Sequence, residues 1–316
     1  MKKLSYIFLG MMLIVAAGCK KSTITQFGDA ASGTQIKILH TAPGTPAIDG
    51  YVNGTKITPV ASVSVTDNAL ATSITTGIIY NYLGSAAASY QGQFPAVNYS
   101  VVPSGNTAIK IQTSTPAPVL VSPQTSAPGT VLGTVTQNTV TGSAYSVFAI
   151  GLPGSTTAPL TVKVVEDKFP NADAGKAYVR FAYMVPNGGA VDIASTTTLS
   201  GATAPTVTTL ASGIAYSTVT DFVAVPVNAI QLTNYTFQMY LTGTTTKLGT
   251  ASATVSLAPG RYYTIIGRGL AADYPVPGTS ITLKASTRPT LPLTDPATKY
   301  PEIYFNPAGL TSYVNK

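Results

Sequence analysis

Tryptophan is absent from the chain, and cysteine and histidine occur once each, as Cys19 and His40. One imidazole and one thiol cannot assemble a zinc-type ligand set, so soft-metal chemistry is excluded. A single cysteine also rules out an intramolecular disulfide, so any fold must stand on packing alone. Charge is scarce, with 9% of residues charged and a formal +7 spread thinly along 316 residues. Beyond Lys2-Lys3 and Lys20-Lys21 there is no basic run, which argues against a nucleic-acid partner. No glycine-rich phosphate loop stands between a strand and a helix, so nucleotide binding has no support. No stretch of helical period is long enough to assign beyond residues 4–17.

What fills the chain is Thr, Ser, Ala, Gly and Val, the usage of extracellular β-domains. Short β-rich runs recur between turn residues. They include 74–83, 97–102, 108–112, 131–140, 145–150 and 160–165, then 219–225, 235–241, 250–257, 262–266 and 281–284. Residues 36–41 alternate, with Ile36, Ile38 and His40 on one face and Lys37, Leu39 and Thr41 on the other. Asn53-Gly54 is a type I′ hairpin signal. The expected fold is all-β: two tandem antiparallel, immunoglobulin-like β-sandwiches.

The N-terminus has its own logic. Lys2 and Lys3 precede an apolar stretch, Leu4 to Ala17, that is shorter than the ~20 residues needed to span a bilayer. Ala16-Ala17-Gly18-Cys19 follows and resembles a lipobox. That resemblance implies cleavage before Cys19 and a diacylglyceryl thioether on its sulfur, with a second acyl chain making the anchor stable. Losing residues 1–18 removes Lys2 and Lys3 and no acid, lowering +7 to +5. Lys20, standing where inner-membrane retention signals carry Asp, favours the outer membrane. Residues 19–34 then read as a polar tether.

The segment from Ile36 to Gly54 returns, weakened, as Val179 to Ala194. An offset of 143 lays Val179 on Ile36, Phe181 on Ile38, Tyr183 on His40, Pro186 on Pro43, Ala190 on Ala47, and Asp192 on Asp49. Tyr145 to Gly151 is echoed by Tyr262 to Gly267, and Leu160 to Lys163 by Ile281 to Lys284. These segments resemble the opening motif of a bacterial extracytoplasmic family known as domain of unknown function 4397. The likeness rests on the apolar strand, Pro43, Pro46-Ala47-Ile48-Asp49 and Tyr51-Val52-Asn53-Gly54, with a second copy in Val179-Arg180-Phe181, Pro186 and Ala190-Val191-Asp192. It implies a sandwich-like fold on the cell surface or outside the cell, and it assigns no catalytic residue.

The expected plan is a signal peptide at 1–18, the lipidated cysteine and tether at 19–34, and a first unit at 35–167. A linker at 168–176, a second unit at 177–295 and a Pro-rich extension at 296–316 complete it. Asp49 and Asp192 are read as acids satisfying turn amides. Glu166, Asp167, Asn171 and Asp173 at the junction are a weak calcium candidate, because they lack the spacing of a known calcium loop. A triad through His40 and Asp49 lacks the Gly-x-Ser-x-Gly elbow, so His40 is read as structural and no catalytic residue is assigned. Tyr80, Tyr82, Tyr90, Tyr262, Tyr263 and Tyr274 are candidates for stacking on sugars, although strand tyrosines commonly bury the ring. The expected role is a non-enzymatic binding, adhesion or scaffolding lipoprotein of the cell envelope. It would be held by its lipid and meet an unknown protein or glycan, with no bound cofactor. Glycan capture for an uptake system is the alternative, and a hydrolase comes last.

Overall fold

In the first half, β1 (Thr34–His40), β2 (Ile48–Val52) and β3 (Thr55–Lys56) follow one another. Asn53 and Gly54 take positive φ, 48° and 82°, so the tight turn between β2 and β3 has the conformation their sequence requires. Next come β4 (Ala61–Asp67), β5 (Leu70–Thr76), β6 (Gln93–Phe94), β7 (Ser100–Val102), β8 (Gly105–Thr113), β9 (Val131–Thr139), β10 (Ala144–Ile150) and β11 (Thr161–Glu166). One sheet runs β11-β10-β1-β6, with β7 also on β1, and a second runs β3-β2-β8-β9. Strands β4 and β5 form a hairpin sheet of their own. Ile36, Ile38, Ile48, Ile109, Ile111 and Val147 fill the space between the two sheets. Each such side chain contributes roughly 1.5–3 kcal/mol on burial.

This computed structural model describes residues 32–58, 61–67, 70–80, 92–115, 124–199, 204–252, 254–286, 302–304 and 307–316. The expected signal peptide, Cys19, nearly all of the expected tether, and Pro289 to Pro301 lie outside the described residues.

The second half contains β12 (Lys176–Tyr183), β13 (Val191–Thr197), β14 (Thr206–Ile214), β15 (Thr218–Val219), β16 (Val223–Pro226), β17 (Thr233–Leu241), β18 (Lys247–Leu248) and β19 (Val255–Leu257). It ends with β20 (Tyr262–Arg268), β21 (Tyr274–Pro275), β22 (Thr282–Lys284), β23 (Glu302–Tyr304) and β24 (Gly309–Val314). Sheet β15-β12-β20-β24 faces sheet β14-β13-β17-β18 across Val179, Phe181, Tyr235, Phe237, Met239 and Ile265. The protein is therefore all-β and built of β-sandwiches.

The two sandwiches share their central strand pairing. Most pairing is antiparallel, but β1 runs parallel to β10 and β12 parallel to β20, with Ile36 opposite Tyr145 and Val179 opposite Tyr263. This register matches Tyr145 to Tyr263, one residue on from the echo visible in sequence. Both hydroxyls accept a backbone N–H five residues upstream, from Val140 at 3.2 Å and from Ala258 at 2.8 Å. This is the tyrosine-corner device of sandwich folds.

The late strands depart from expectation. In the first half β11 lies against β10, and its place beside β20 is taken by β24, not by 281–284. Residues 309–314, expected in an extension, are thus an edge strand of the second sandwich. Strand β22 instead joins β21 and β23, and Leu283, Ile281 and Leu270 pack with Ile79, Tyr80 and Leu152 of the first half. Gly249 makes the approach of β24 possible. At φ +69° it lies so close to the Ala308 carbonyl that a Cβ would overlap the oxygen at 1.6 Å.

Residues 33–316 form one compact unit. The reason lies on the outer faces of β1, β10, β12 and β20, which are buried almost throughout. Leu39, Phe148 and Ile150 of the first half pack against Ala182, Met184, Ile266 and Tyr313 of the second. The sandwiches stack sheet on sheet, and a third apolar layer lies between them.

Candidate functional site

The layer between the sandwiches has a polar end and an open end. At the polar end, Lys37 of β1 and Arg180 of β12 occupy matched positions, 0% and 2% exposed. A cation on the outer face of a lone sandwich would reach water; here both are covered by the other half. Arg180 Nη2 lies 2.6 Å from Asp167 Oδ1, an ion pair rather than an aligned hydrogen bond. Arg180 also donates from Nε to Thr264 Oγ1 at 2.8 Å and from Nη2 to Ser146 Oγ at 2.9 Å. Asp167 Oδ2 accepts from Ser146 Oγ at 2.8 Å and from the Tyr99 hydroxyl. Asn315 closes the ring, accepting from Thr264 at 2.7 Å and donating to the Tyr99 oxygen at 2.7 Å. Burial, the adjoining Asp167 and Tyr313 raise the Tyr99 pKa, so its hydroxyl stays protonated.

Lys37 Nζ donates to the Pro95 carbonyl at 3.0 Å and lies 5.2 Å from the Tyr313 ring centre. Loss of hydration lowers its pKa to about 8, with Asp167 opposing the shift.

The junction acids do not converge. Asp167 is consumed in the buried ion pair, so the linker expected at 168–176 begins beside a core residue. Exposed Glu166 accepts from Ser143 at 3.2 Å. Asn171 offers its backbone carbonyl to the Tyr178 hydroxyl at 2.6 Å. Asp173 caps Gly175 N–H at 2.8 Å and pairs with Lys176. Among the described residues no group of three or more His, Cys, Asp or Glu side chains is placed to hold a metal ion. The calcium candidate of the sequence is therefore not assembled as a site: its best ligand faces an arginine.

His40 and Tyr183 do the same work at matched positions. His40 Nε2 lies 3.0 Å from the Pro46 carbonyl, which can only accept, so Nε2 carries the proton. Tyr183 donates to the Gly189 carbonyl at 2.8 Å, again six residues on. Burial lowers the His40 pKa to about 4 and keeps the ring neutral.

The matched acids differ. Asp192 fits the turn role, accepting from Gly213 N–H at 2.8 Å and Gly243 N–H at 3.1 Å; these amides hold its pKa below the usual value. Asp49 does not. It is fully buried and binds the Lys56 ammonium at 2.8 Å and the Thr58 hydroxyl at 3.2 Å. The hairpin brings Lys56 near it, and charge displaces the amides as partner.

Of the stacking candidates, Tyr80, Tyr262 and Tyr263 are buried. Tyr274 is half-buried and donates to the Pro153 carbonyl at 3.1 Å, while Tyr82 and Tyr90 lie outside the described residues.

At the open end, Leu39, Thr41, Gln93, Ile266, Arg268, Thr311 and Tyr313 line a cleft of about 190 Å³. Arg268 of β20 and Thr311 of β24 come from one half, Leu39, Thr41 and Gln93 from the other. The Arg268 guanidinium lies 5.6 Å from the Tyr80 ring centre. Nothing in the sequence singled out Arg268.

The family model for a domain of unknown function (DUF4397) matches residues 34–194. The chain belongs to this family. The DUF4397 match runs through the first sandwich and ends in β13. No curated protein matches the chain. Among solved structures, a leucine-rich repeat protein from Bacteroides thetaiotaomicron is similar at 11% identity and TM-score 0.18 over 74% of this chain. The alignment spans only 26% of that longer protein. A candidate cell adhesion protein from Bacteroides eggerthii aligns over 92% of this chain and 98% of its own, at 13% identity and TM-score 0.18. Another, from Parabacteroides distasonis, covers 90% and 97%, at 8% identity and TM-score 0.19. At these TM-scores the likenesses carry no functional argument.

Proposed function

We propose that this DUF4397 protein is a non-catalytic binding or adhesion module of the cell envelope, tethered through lipid on Cys19. One observation carries the reading. Among the described residues, four buried ionisable side chains each hold a structural partner: His40 with Pro46, Asp49 with Lys56, Asp167 with Arg180, and Lys37 with Pro95. What remains for function is the surface of a body stiffened by its central layer, where loops on a rigid frame serve recognition. The matched strands, the paired tyrosine corners and the His40/Tyr183 equivalence support descent of both halves from one duplicated unit. The lipobox-like Ala16-Ala17-Gly18-Cys19 supports a lipid anchor, and Lys20 after it favours the outer membrane.

The test has two parts. Metabolic palmitate labelling is expected to mark the wild type and not Cys19→Ser; an unlabelled wild type removes the anchor. Deleting the gene is expected to reduce attachment or cell aggregation without altering growth on any glycan. Unchanged attachment with impaired growth on one glycan would replace adhesion by glycan capture, which the Arg268 cleft favours and the buried tyrosines do not.

A further inference from the structure

We propose that the cleft between the sandwiches binds the carboxylate of an acidic sugar, with Arg268 as its anchor. The proposal rests on the binding role above and gives it a place and a ligand class.

Consider first what each cation does. Lys56, Lys176, Arg180 and Lys284 each lie within 4 Å of an aspartate. Arg268 makes no such pair among the described residues, and it stands in a concavity rather than on an open face. Its guanidinium carbon lies 5.6 Å from the Tyr80 ring centre, within cation–π range. That contact uses none of the N–H groups of the guanidinium fork. That fork matches a carboxylate, which it can grip with two parallel hydrogen bonds.

The rest of the cleft narrows the ligand. Residues 264, 266 and 268 share one face of β20, and 311 and 313 share one face of β24, by the two-residue period of a strand. Thr311 therefore turns the same way as Tyr313, toward the first half, beside Arg268. Among the described residues its hydroxyl makes no hydrogen bond, so it is available to a ligand hydroxyl. Gln93 spends its amide nitrogen on the Ala96 carbonyl at 3.0 Å, which leaves its side-chain oxygen as an acceptor. Leu39 and Ile266 supply an apolar floor. One cation, one hydroxyl, one amide oxygen and an apolar floor suit a ring with a carboxylate, hydroxyls and a C–H face. The volume of about 190 Å³ is well above the ~10–15 Å³ that a single water needs, and leaves room for a sugar ring.

The test measures binding of D-glucuronate to the full-length protein by ligand-observed NMR at low salt. D-glucose and cyclohexanecarboxylate are the comparisons. Glucuronate is expected to bind at least tenfold more tightly than either. Arg268→Met is expected to weaken it at least tenfold, and Thr311→Val severalfold, with thermal unfolding unchanged in Thr311→Val. No glucuronate binding, equal binding of glucose, equal or tighter binding of cyclohexanecarboxylate, or full binding by both variants would each overturn the site. Attachment of the deletion strain is read separately. A lost site with a retained attachment defect sinks only this inference.

Discussion

Replacing Arg180 by methionine should be the most damaging single change to the layer between the sandwiches. Methionine keeps much of the length and apolar bulk of the side chain and removes the charge. The Asp167 carboxylate would stay 4% exposed, having lost the guanidinium 2.6 Å from Oδ1. Thr264 and Ser146 would each lose a donor as well. Breaking one side of a buried pair costs about 3–5 kcal/mol, mostly from the stranded charge. Domains are stable by only about 5–15 kcal/mol, so this is a large share. With about 2–4 °C per kcal/mol in chains somewhat smaller than this one, Tm should fall by roughly 5–15 °C. The companion is the double variant Arg180→Met with Asp167→Leu, which removes both charges. It should be more stable than Arg180→Met alone, since apolar replacement of a whole buried pair is often neutral. Urea unfolding followed by tyrosine fluorescence or near-ultraviolet circular dichroism suits a chain without tryptophan. A loss below about 1 kcal/mol in Arg180→Met, or strict additivity in the double variant, would refute the argument.

Lys37 gives a pH prediction of opposite sense. Its folded pKa of about 8 lies below the ordinary 10.5. The unfolded chain therefore binds more protons between those values, and this contribution to stability rises with pH across that window. Lys37→Met should be more stable than wild type at pH 7, and the gain should shrink toward pH 10 in thermal scans. His40, with a folded pKa of about 4 against 6.5, should cost stability as pH falls from 6.5 to 4. In His40→Gln, whose amide can still donate to Pro46, that part of the loss should vanish when Tm is plotted against pH. Phe237→Ala in the second core should cost about 3–5 kcal/mol, and Val147→Ala in the first should cost less. Because the halves share a buried layer, calorimetry should show one shifted transition for each, not the splitting of one half from the other.

Much of the architecture was legible because strands declare themselves by period. The alternation of Ile36, Ile38 and His40 against Lys37, Leu39 and Thr41 correctly divides two faces. What it does not say is that the second face is covered too. The clue was present in YSVFAI and VRFAYMV, apolar runs too continuous for a sheet wetted on one side. Nothing in the sequence marks Lys37 and Arg180, at matched positions, as buried, because only the stacked halves remove them from water. Asp167 was grouped with neighbouring acids because sequence proximity hid Arg180, its partner across the layer. The likeness of Leu160–Lys163 to Ile281–Lys284 misled because two β-branched tetrapeptides carry little information. Register decided for 309–314. Arg268 was invisible because a cleft between two bodies leaves no periodic mark.

The edge position of β24 has a bearing on how the protein is made. As the chain emerges during synthesis, β20 can pair with β12 as soon as both are available, but its other flank stays bare until residues 309–314 follow. Tyr313 and Asn315, which seal the charged end of the central layer, arrive with that same segment. Over this interval the emerging chain presents an unpaired β-edge and two uncovered cations, and a chaperone would have most to protect then.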